Sequence, residues 1–442
     1  MVNQFLNRVW NLRAGELGLV LTLGFILSGN AFAQKMSEIT SLSNFLSVTG
    51  APQFLILIVL SNTISIALTA LQVLFIDNFD RDRLIAWVAA GLGGAFLVLR
   101  ISFWVGMPSW LNYSLFYLIS EQQYLFFPTV FWLLANDVLN ISQSKRIFST
   151  LASWGFFGNF LGIGVAIAQP TLSRLTQARS EDLLLLNVLL YIGILLIIKF
   201  SHFTIRRTRQ NPETLQETLN EGWEFVREVP AFRYLTLAIL AMSFCEIVME
   251  FNFYDQSKSF FANSGNYQMF LGGFAFLRMF ALMLLQGLGT SQIIKHLSLK
   301  RIFFILPLCN LAGLTLLTTL TTLTTSTIAL TLQKLAQYGI DDTARKSFQG
   351  LVPEERRGRV SLFMDNYLIA IGSIVGALIT GGMVLIGRKI GLPFLYTGIA
   401  IAVSGLAFWA VLQMNNVYDT SMLNWRLKRR QRNRSVLDKL DF

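Results

Sequence analysis

Long apolar runs recur along the whole chain, and they restrict its fold more than any other feature of the sequence. About 20 consecutive apolar residues are enough to cross the hydrocarbon core of a bilayer. Runs of about this length predict membrane spans at 17–33, 54–76, 84–105, 114–135, 147–168, 183–200, 231–253, 269–290, 302–320, 324–345, 360–387 and 394–414. We therefore predict an all-α polytopic membrane protein with 12 transmembrane helices.

The composition agrees with a chain that lies mostly in a bilayer. Of its 442 residues, 53% are hydrophobic and only 14% are charged, whereas soluble domains carry about 25% charged residues. The formal net charge of +11 suggests nucleic-acid binding at first sight. The basic residues lie, however, in alternate short loops and at the C-terminus, which is the positive-inside pattern of membrane proteins. We therefore exclude nucleic acid as a partner and predict a protein of the plasma (inner) membrane with both termini cytoplasmic.

A central polar segment divides the runs into two sets of six. The predicted organisation is an N-terminal six-helix half at 1–200, a central cytoplasmic segment at 201–230, a C-terminal six-helix half at 231–414 and a basic cytoplasmic tail at 415–442. This organisation is typical of the major facilitator superfamily. Repeats of this kind place the substrate site between the halves, near the middle of the membrane.

A weak internal repeat supports the two halves. In each half a basic turn precedes a glycine-containing run: Lys145-Arg146 before Gly155, Gly158 and Gly162, then Arg359 before Gly372 and Gly376. Small residues let helices approach closely. We therefore interpret these glycines as packing contacts.

Two polar segments are candidates for the membrane surface. In the central segment Leu215, Leu219, Trp223 and Val226 recur at helical spacing among charged residues, which favours an amphipathic helix on the membrane. A solvated linker helix is the alternative. The tail at 425–434 is dense in arginine and lysine, and such a cluster beside a last span attracts anionic lipid headgroups.

Glu121 stands inside the fourth run, with Gln122 and Gln123 beside it. A charge at membrane depth costs about 2.5–3.5 kcal/mol on insertion scales, so it usually faces a cavity or a partner. Lys334 in the tenth run stands at nearly the same depth in the repeat. We predict a Glu121–Lys334 pair, which is either static or opens when an anionic or zwitterionic substrate enters.

Other charged residues also interrupt apolar runs. Glu246 and Glu250 are four residues apart and share one helix face, an arrangement that suits proton or cation coupling. Arg278 has the donor fork to hold a carboxylate or phosphate, or to pair with a glutamate. Lys35 and Arg100 lie near predicted span ends, where basic side chains reach the interface. The predicted substrate or coupling residues are Glu121, Glu250, Arg278, Lys334, Glu246 and Lys35.

The sequence has no pattern that predicts an enzyme or a cofactor. It has no phosphate-binding loop of the Walker type, and no paired cysteine or histidine spacing for a metal. Cys245 and Cys309 both fall in apolar runs, so we expect neither a disulfide nor a metal site.

Several motifs resemble the ATP/ADP translocase-like nucleotide transporters of plastids and intracellular bacteria. The block around spans four and five is the most specific: Ser120-Glu121, Phe131-Trp132, Ala135-Asn136 and the run at 144–148. Motifs near span seven also match: Glu250, Lys258, Asn266-Tyr267 and the run at 271–274. A third group lies at the entry to span eleven: Val352-Pro353-Glu354-Glu355, Asp365, Gly372 and Ala377-Leu378-Ile379.

The resemblance implies that Glu121 and Glu250 are functional carboxylates. It also implies a divergent member, because Ala370 and Ser373 stand where the family has an arginine and a lysine, and Lys35 is the remaining basic candidate after span one. A nucleoside triphosphate brings about four negative charges and needs several charge-assisted donors. The family's default oligomeric state implies a monomer.

These observations predict a secondary active transporter that works by alternating access and exchanges a nucleotide or another anionic metabolite. One alternative is the transport of an unrelated solute, such as an organic anion or a drug-like molecule. Another is a non-transporting membrane scaffold or assembly factor, whose working surfaces would be the basic tail and the central segment.

Overall fold

The computed structural model describes residues 16–76, 80–176, 179–201, 203, 215–352, 354–390 and 395–437. Within these residues all regular structure is helical. The α-helices are α1 Leu17–Thr49, α2 Ala51–Ile76, α3 Arg81–Trp104, α4 Ser109–Val138, α5 Ile141–Thr176, α6 Leu183–Phe200, α7 Leu215–Glu228, α8 Pro230–Phe260, α9 Ser264–Leu284, α10 Thr290–His296, α11 Leu299–Ile302, α12 Ile305–Thr319, α13 Leu323–Ala336, α14 Asp342–Gln349, α15 Glu354–Leu362, α16 Ile369–Ile390 and α17 Leu395–Leu437.

Several helices are longer than the apolar runs that predicted them. Helix α1 has 33 residues, which is about 50 Å of helix against a hydrocarbon core of about 30 Å. The helix continues 16 residues beyond the predicted span end at residue 33, and Lys35 lies in the middle of α1. Polar residues can continue a helix as long as its backbone hydrogen bonds and the packing of its buried face continue. The length of an apolar run therefore underestimates the length of the helix. Helix α17 likewise continues through the predicted tail to Leu437.

Ten helices among the described residues are long and apolar enough to cross a membrane. The fourth and tenth predicted spans lie in α4 and in the stretch from α13 to α14, which are not among these ten. Polar side chains such as Glu121 and Lys334 interrupt their apolar character. The fold is all-α and polytopic, and the predicted number of 12 spans is consistent with it.

Three π-helical turns interrupt the helices of the C-terminal part. They lie at Leu285–Gly289, Gln337–Asp341 and Phe363–Leu368. A π turn bonds each amide to the carbonyl five residues back, and such turns occur often at functional sites. Each turn joins two α-helical pieces of one long rod.

By compactness the chain forms two units. The first is Met1–Glu213 with Ser257–Leu277, and the second is Thr214–Gln256 with Arg278–Phe442. The sequence-based division at the central segment stays a prediction. Each unit is described by itself below.

The glycine pairs allow the closest helix contacts within each unit. In the first unit a Cβ atom on Gly158 or Gly162 of α5 would overlap backbone oxygens of α1. In the second unit a Cβ atom on Gly372 of α16 would lie 2.9 Å from the Leu240 carbonyl oxygen of α8. The predicted packing role of these glycines is confirmed, and both units use it in the same way.

The central helix α7 packs on α15 and on the π turn that follows it. Its Glu221 forms an ion pair with Arg359 of α15. Phe225 and Val226 are buried, whereas Trp223 is 58% exposed. Part of the predicted apolar face therefore packs on protein rather than on lipid. The side chains of Leu215 and Leu219 lie outside the described residues. The arginines at 206, 207 and 209, which belong to the predicted cytoplasmic segment, lie outside them as well.

Candidate functional site

A buried ion cluster occupies the core of the second unit. Lys334 of α13 is only 4% exposed. Its ammonium nitrogen lies 2.6 Å from Oε1 of Glu250 and also forms an ion pair with Glu246. Both glutamates project from the same face of α8, since they are four residues apart. We call Glu246, Glu250 and Lys334 the carboxylate–lysine triad.

Polar side chains of the next helical turn complete the triad. Gln337 Nε2 donates to Oε2 of Glu246 at 2.9 Å, and Gln333 Nε2 donates to the amide oxygen of Gln337. The ring centre of Tyr338 lies 5.4 Å from Nζ of Lys334, within the range of a cation–π contact. The triad is thus surrounded by groups that orient its charges.

Arg278 of α9 supplies the second positive charge. It acts electrostatically on Glu250 and on Lys334. With Arg278 included, two carboxylates face two cations, so the four charges sum to zero. A buried charge is tolerated only when it is paired, and this balance is what lets four ionised groups lie inside one helical unit.

The triad is a closed arrangement that an anion or a proton can open. An ammonium has three N–H donors, and two carboxylates hold it here. Removing one partner of a buried ion pair costs about 3–5 kcal/mol when nothing replaces it. Release of Lys334 is therefore favourable only when another anion binds it, or when a carboxylate takes up a proton.

A smaller polar cluster lies on α1 in the first unit. Nζ of Lys35 lies 2.5 Å from Oε2 of Glu38, and Gln34 Nε2 donates to the same oxygen at 2.7 Å. The two charged side chains are partly exposed, at 18% and 22%. Glu38 was not among the predicted site residues, although its position three residues after Lys35 was a usable signal.

Buried amides follow Glu121 directly in the sequence of α4. Gln123 Nε2 donates to the hydroxyl of Tyr191 at 2.9 Å, and that hydroxyl donates to Oδ1 of Asn30 at 2.8 Å. Both amide atoms of Gln122 are buried and lack a hydrogen-bond partner among the described residues. Gln123, two residues after Glu121, therefore belongs to a polar layer that joins α4, α6 and α1.

The structure brings together four of the six predicted residues. Glu246, Glu250, Lys334 and Arg278 lie in one cluster, whereas Glu121 and Lys35 belong to the first unit. The predicted Glu121–Lys334 pair stays a prediction.

Sequence reasoning missed Gln337 and Tyr338. The signal available for them was polar spacing: Gln333 and Gln337 repeat at one helical turn beside Lys334 in an apolar run. Arg100, which was expected to reach the interface, instead forms an ion pair with Asp182 at 2.7 Å and lies over the ring of Trp104.

A family model, the TLC ATP/ADP transporter, matches residues 94–336, which is more than half of the chain. The chain belongs to this family. The matched region contains Glu121, Glu246, Glu250, Arg278 and Lys334. A member of this family is a transporter and not an enzyme.

Two curated relatives are bacterial carriers. The chain is 24% identical over 417 residues to the ADP,ATP carrier protein 1 of Chlamydia pneumoniae, covering 85% of this chain and 78% of that protein. It is 21% identical over 359 residues to the ADP,ATP carrier protein 1 of Chlamydia trachomatis serovar D, covering 71% of this chain and 65% of that protein.

Solved structures of other transporters share the fold. The nucleoside transporter NupG has a TM-score of 0.64 at 15% identity, with 91% of this chain and 99% of that chain covered. The D-xylose–proton symporter has a TM-score of 0.60 at 11% identity, with 90% of this chain and 97% of that chain covered. The fold is therefore of the major facilitator type. Together with the family, it makes this protein an integral membrane secondary transporter with a small-molecule substrate.

Proposed function

We propose that the protein exchanges an anionic, nucleotide-type metabolite across the plasma (inner) membrane by alternating access, with the carboxylate–lysine triad as its gate. The single observation that carries the proposal is the position of Lys334 between Glu246 and Glu250, with Arg278 in electrostatic range. The relatives named above, which are ADP,ATP carriers, support a nucleotide as the starting hypothesis.

The gate follows from competition for one ammonium group. In the absence of substrate, both carboxylates hold Lys334. An entering phosphate or carboxylate competes for Lys334 and binds the donor fork of Arg278 in a bidentate manner. The two glutamates that are released lie four residues apart on α8 and repel each other unless a proton or cation joins them. Entry of the anion is in this way linked to uptake of a positive charge.

The first unit contributes Glu121 and Lys35 to the proposal. Lys35 is held by one carboxylate, Glu38, and is partly exposed. It is therefore released at a lower cost than the fully buried Lys334. Glu121, beside the unpartnered amide of Gln122, is the proposed first-unit coupling carboxylate.

A second candidate is a solute with fewer charges than ATP, including an organic anion. Ala370 and Ser373 are each 5% exposed and occupy positions where the resemblance implies an arginine and a lysine. The second-unit cluster has no net positive charge to offset a polyphosphate. This observation favours a substrate with one or two negative charges over one with four.

The remaining assignments are part of the same proposal. Both termini lie in the cytoplasm, and the protein works as a monomer of two six-helix halves. The C-terminal part of α17, which follows the last predicted span, lies near anionic lipid headgroups with its basic residues.

Reconstitution into proteoliposomes tests the proposal. Vesicles that contain unlabelled ADP are offered labelled ATP at several pH values, with wild-type protein, Glu250→Gln and Glu224→Gln. Glu224 is an exposed carboxylate on α7 and is the matched control. We expect counter-exchange by wild type and Glu224→Gln, and none by Glu250→Gln.

Uptake that needs no internal nucleotide contradicts exchange. An absence of ADP and ATP transport by folded, inserted protein rejects the nucleotide and favours the second candidate. In that case a thermal-shift screen of metabolites with one or two negative charges follows.

A further inference from the structure

Two π turns contact each other beside the triad. The turn Leu285–Gly289 follows α9, and the turn Gln337–Asp341 follows α13. Thr290 Oγ1 donates to the carbonyl oxygen of Gly339 at 2.6 Å, and Gln286 Nε2 donates to the carbonyl oxygen of Tyr338 at 3.0 Å. These two side chains therefore connect the rod that contains α9 to the turn that follows α13.

The hydrogen bonds have a physical reason in the π geometry. The amide of Asp342 bonds to the carbonyl of Gln337, five residues back. In an α-helix the same amide would bond to the carbonyl of Tyr338. The Tyr338 carbonyl thus loses its usual donor, and Gln286 supplies one. The side chain thus gives this carbonyl the hydrogen bond that the π geometry takes away, and it stabilises the turn in its π form.

Gly339 packs closely against the side chain of Leu285 at this contact. A Cβ atom on Gly339 would overlap the side chain of Leu285. Thr290 is 5% exposed, so its hydroxyl bond is shielded from water. The contact between the two turns is therefore closely packed, and one of its two hydrogen bonds, that of Thr290, is buried.

The turn that is held in this way also carries the two residues that touch the triad. Gln337 donates to Glu246, and the ring of Tyr338 lies over the ammonium of Lys334. The charged groups beside this contact include Glu246 and Glu250 from α8, Lys334 from α13 and Arg278 from α9. Asp341, the last residue of the turn, forms an ion pair with Arg345 at 3.0 Å. A change in the backbone conformation of this turn would therefore move the Gln337–Glu246 and Tyr338–Lys334 contacts together.

We infer that Thr290 and Gln286 are positioning residues for the triad. They hold the turn Gln337–Asp341 in the form that presents Gln337 to Glu246 and Tyr338 to Lys334. A movement of the continuous helical stretch formed by α9, the turn Leu285–Gly289 and α10 is thereby transmitted to the triad. The functional meaning of this link rests on the triad being the gate of the proposed function, but the link itself is measurable without any substrate.

A double-mutant cycle on the purified full-length protein tests whether Thr290 is coupled to Glu246 of the triad. Thermal unfolding midpoints are measured for Thr290→Val, Glu246→Gln and the combined variant. Distant side chains without shared partners have additive effects, whereas coupled ones do not. We expect non-additivity of at least about 1 °C, which corresponds to roughly 1 kcal/mol for a chain of 442 residues, because the unfolding entropy is about 2.1 cal/mol/K per residue.

Three further variants make the outcome decisive. Thr290→Ser keeps the hydroxyl, and in the combined variant it should restore the wild-type coupling. Thr315→Val removes an exposed hydroxyl on α12 that bonds only to its own helix, and with Glu246→Gln it should be additive. If Thr290→Val does not fold, Gln286→Met replaces it, because Gln286 is exposed and methionine has a similar length but neither a hydrogen-bond donor nor a charge.

Additive midpoints for the Thr290 and Gln286 cycles overturn the inference, whatever the transport assay shows. Loss of exchange in Glu250→Gln tests the proposed function separately. Coupling without exchange would keep the positioning role and reject the nucleotide substrate.

Discussion

The ammonium nitrogen of Lys334 lies 2.6 Å from a carboxylate oxygen of Glu250, and the two side chains are 5% and 16% exposed. They belong to α13 and α8, which are far apart in the sequence. A second carboxylate, Glu246, shares the same ammonium. The contact joins two helices of one unit through charges that are costly to separate, and the proposed function therefore makes it the place where a substrate anion acts.

Replacement of Lys334 should affect both stability and transport. Lys334→Met leaves two adjacent carboxylates without their cation, and breaking a buried pair costs about 3–5 kcal/mol. We expect a thermal midpoint several degrees below wild type and no exchange in proteoliposomes. Lys346→Met, at an exposed lysine of α14, is the control and should resemble wild type. A normal midpoint together with normal exchange would show that the triad is dispensable.

Removal of the charge at Glu121 should abolish transport and leave expression intact. Glu121→Gln keeps the size of the side chain and its capacity for hydrogen bonds, so the first unit should still fold. Exchange and membrane insertion are measured in parallel, with Glu224→Gln as the control. If transport survives, Glu121 has a structural role in the polar layer of α4.

The glycine contacts predict a sharp difference between two similar substitutions. Gly158→Ala places a Cβ atom against the backbone of Ser28, and overpacking of this kind costs about 1–3 kcal/mol. Gly164 lies on the same helix with no neighbouring atom within 4 Å, so Gly164→Ala should be neutral or slightly stabilising. Thermal midpoints of the two variants measure the difference. Equal midpoints would mean that α1 and α5 do not pack as closely as described.

Charge selectivity should follow the neutral balance of the triad and Arg278. In a competition assay against labelled ADP, we expect ATP to compete no better than ADP, because the cluster of the triad and Arg278 contains no further cation to bind the additional phosphate. Adenosine, which has no anionic group, should compete poorly. An ATP affinity ten times higher, which is 1.4 kcal/mol, would require basic residues outside this cluster.

Deletion of the basic tail separates a transporter from a scaffold. Removal of residues 426–442 should leave the exchange rate unchanged and should weaken binding to vesicles rich in anionic lipid, at about 1 kcal/mol per basic residue near the surface. Exchange and co-sedimentation are the two measurements. A tail deletion that abolishes exchange in correctly inserted protein would assign the tail a direct part in transport.

Much of the fold could be predicted because membrane spans follow a local rule. Length and apolarity placed α6 at Leu183–Phe200 to the residue, and they placed most other helices within several residues of their centres. The ends were less predictable, as α1 and α17 show, since polar residues extend a helix when neighbouring helices or water satisfy them. The π turns had no such local signal.

The sequence identified most of the charged residues of the candidate site, but it did not identify the ion pairs that they form. Lys334, Glu246, Glu250 and Arg278 were recognisable because each places a charge in an apolar run. Their grouping was not, because the partner of Lys334 depends on how α13 is rotated against α8. Gln337 and Tyr338 lie three and four residues after Lys334, which is ordinary helical spacing, but neither carries a charge that would have marked it in the sequence.

The sequence by itself determined that the chain crosses a membrane many times, that it is all helical and that several charges interrupt its apolar runs, because the cost of exposing apolar residues to water depends on residue type alone. The tertiary structure decided that Lys334 binds Glu246 and Glu250, and that Thr290 and Gln286 hold the turn beside them. These contacts join residues 49–91 positions apart, and their formation depends on helix rotation and depth, which no local pattern encodes.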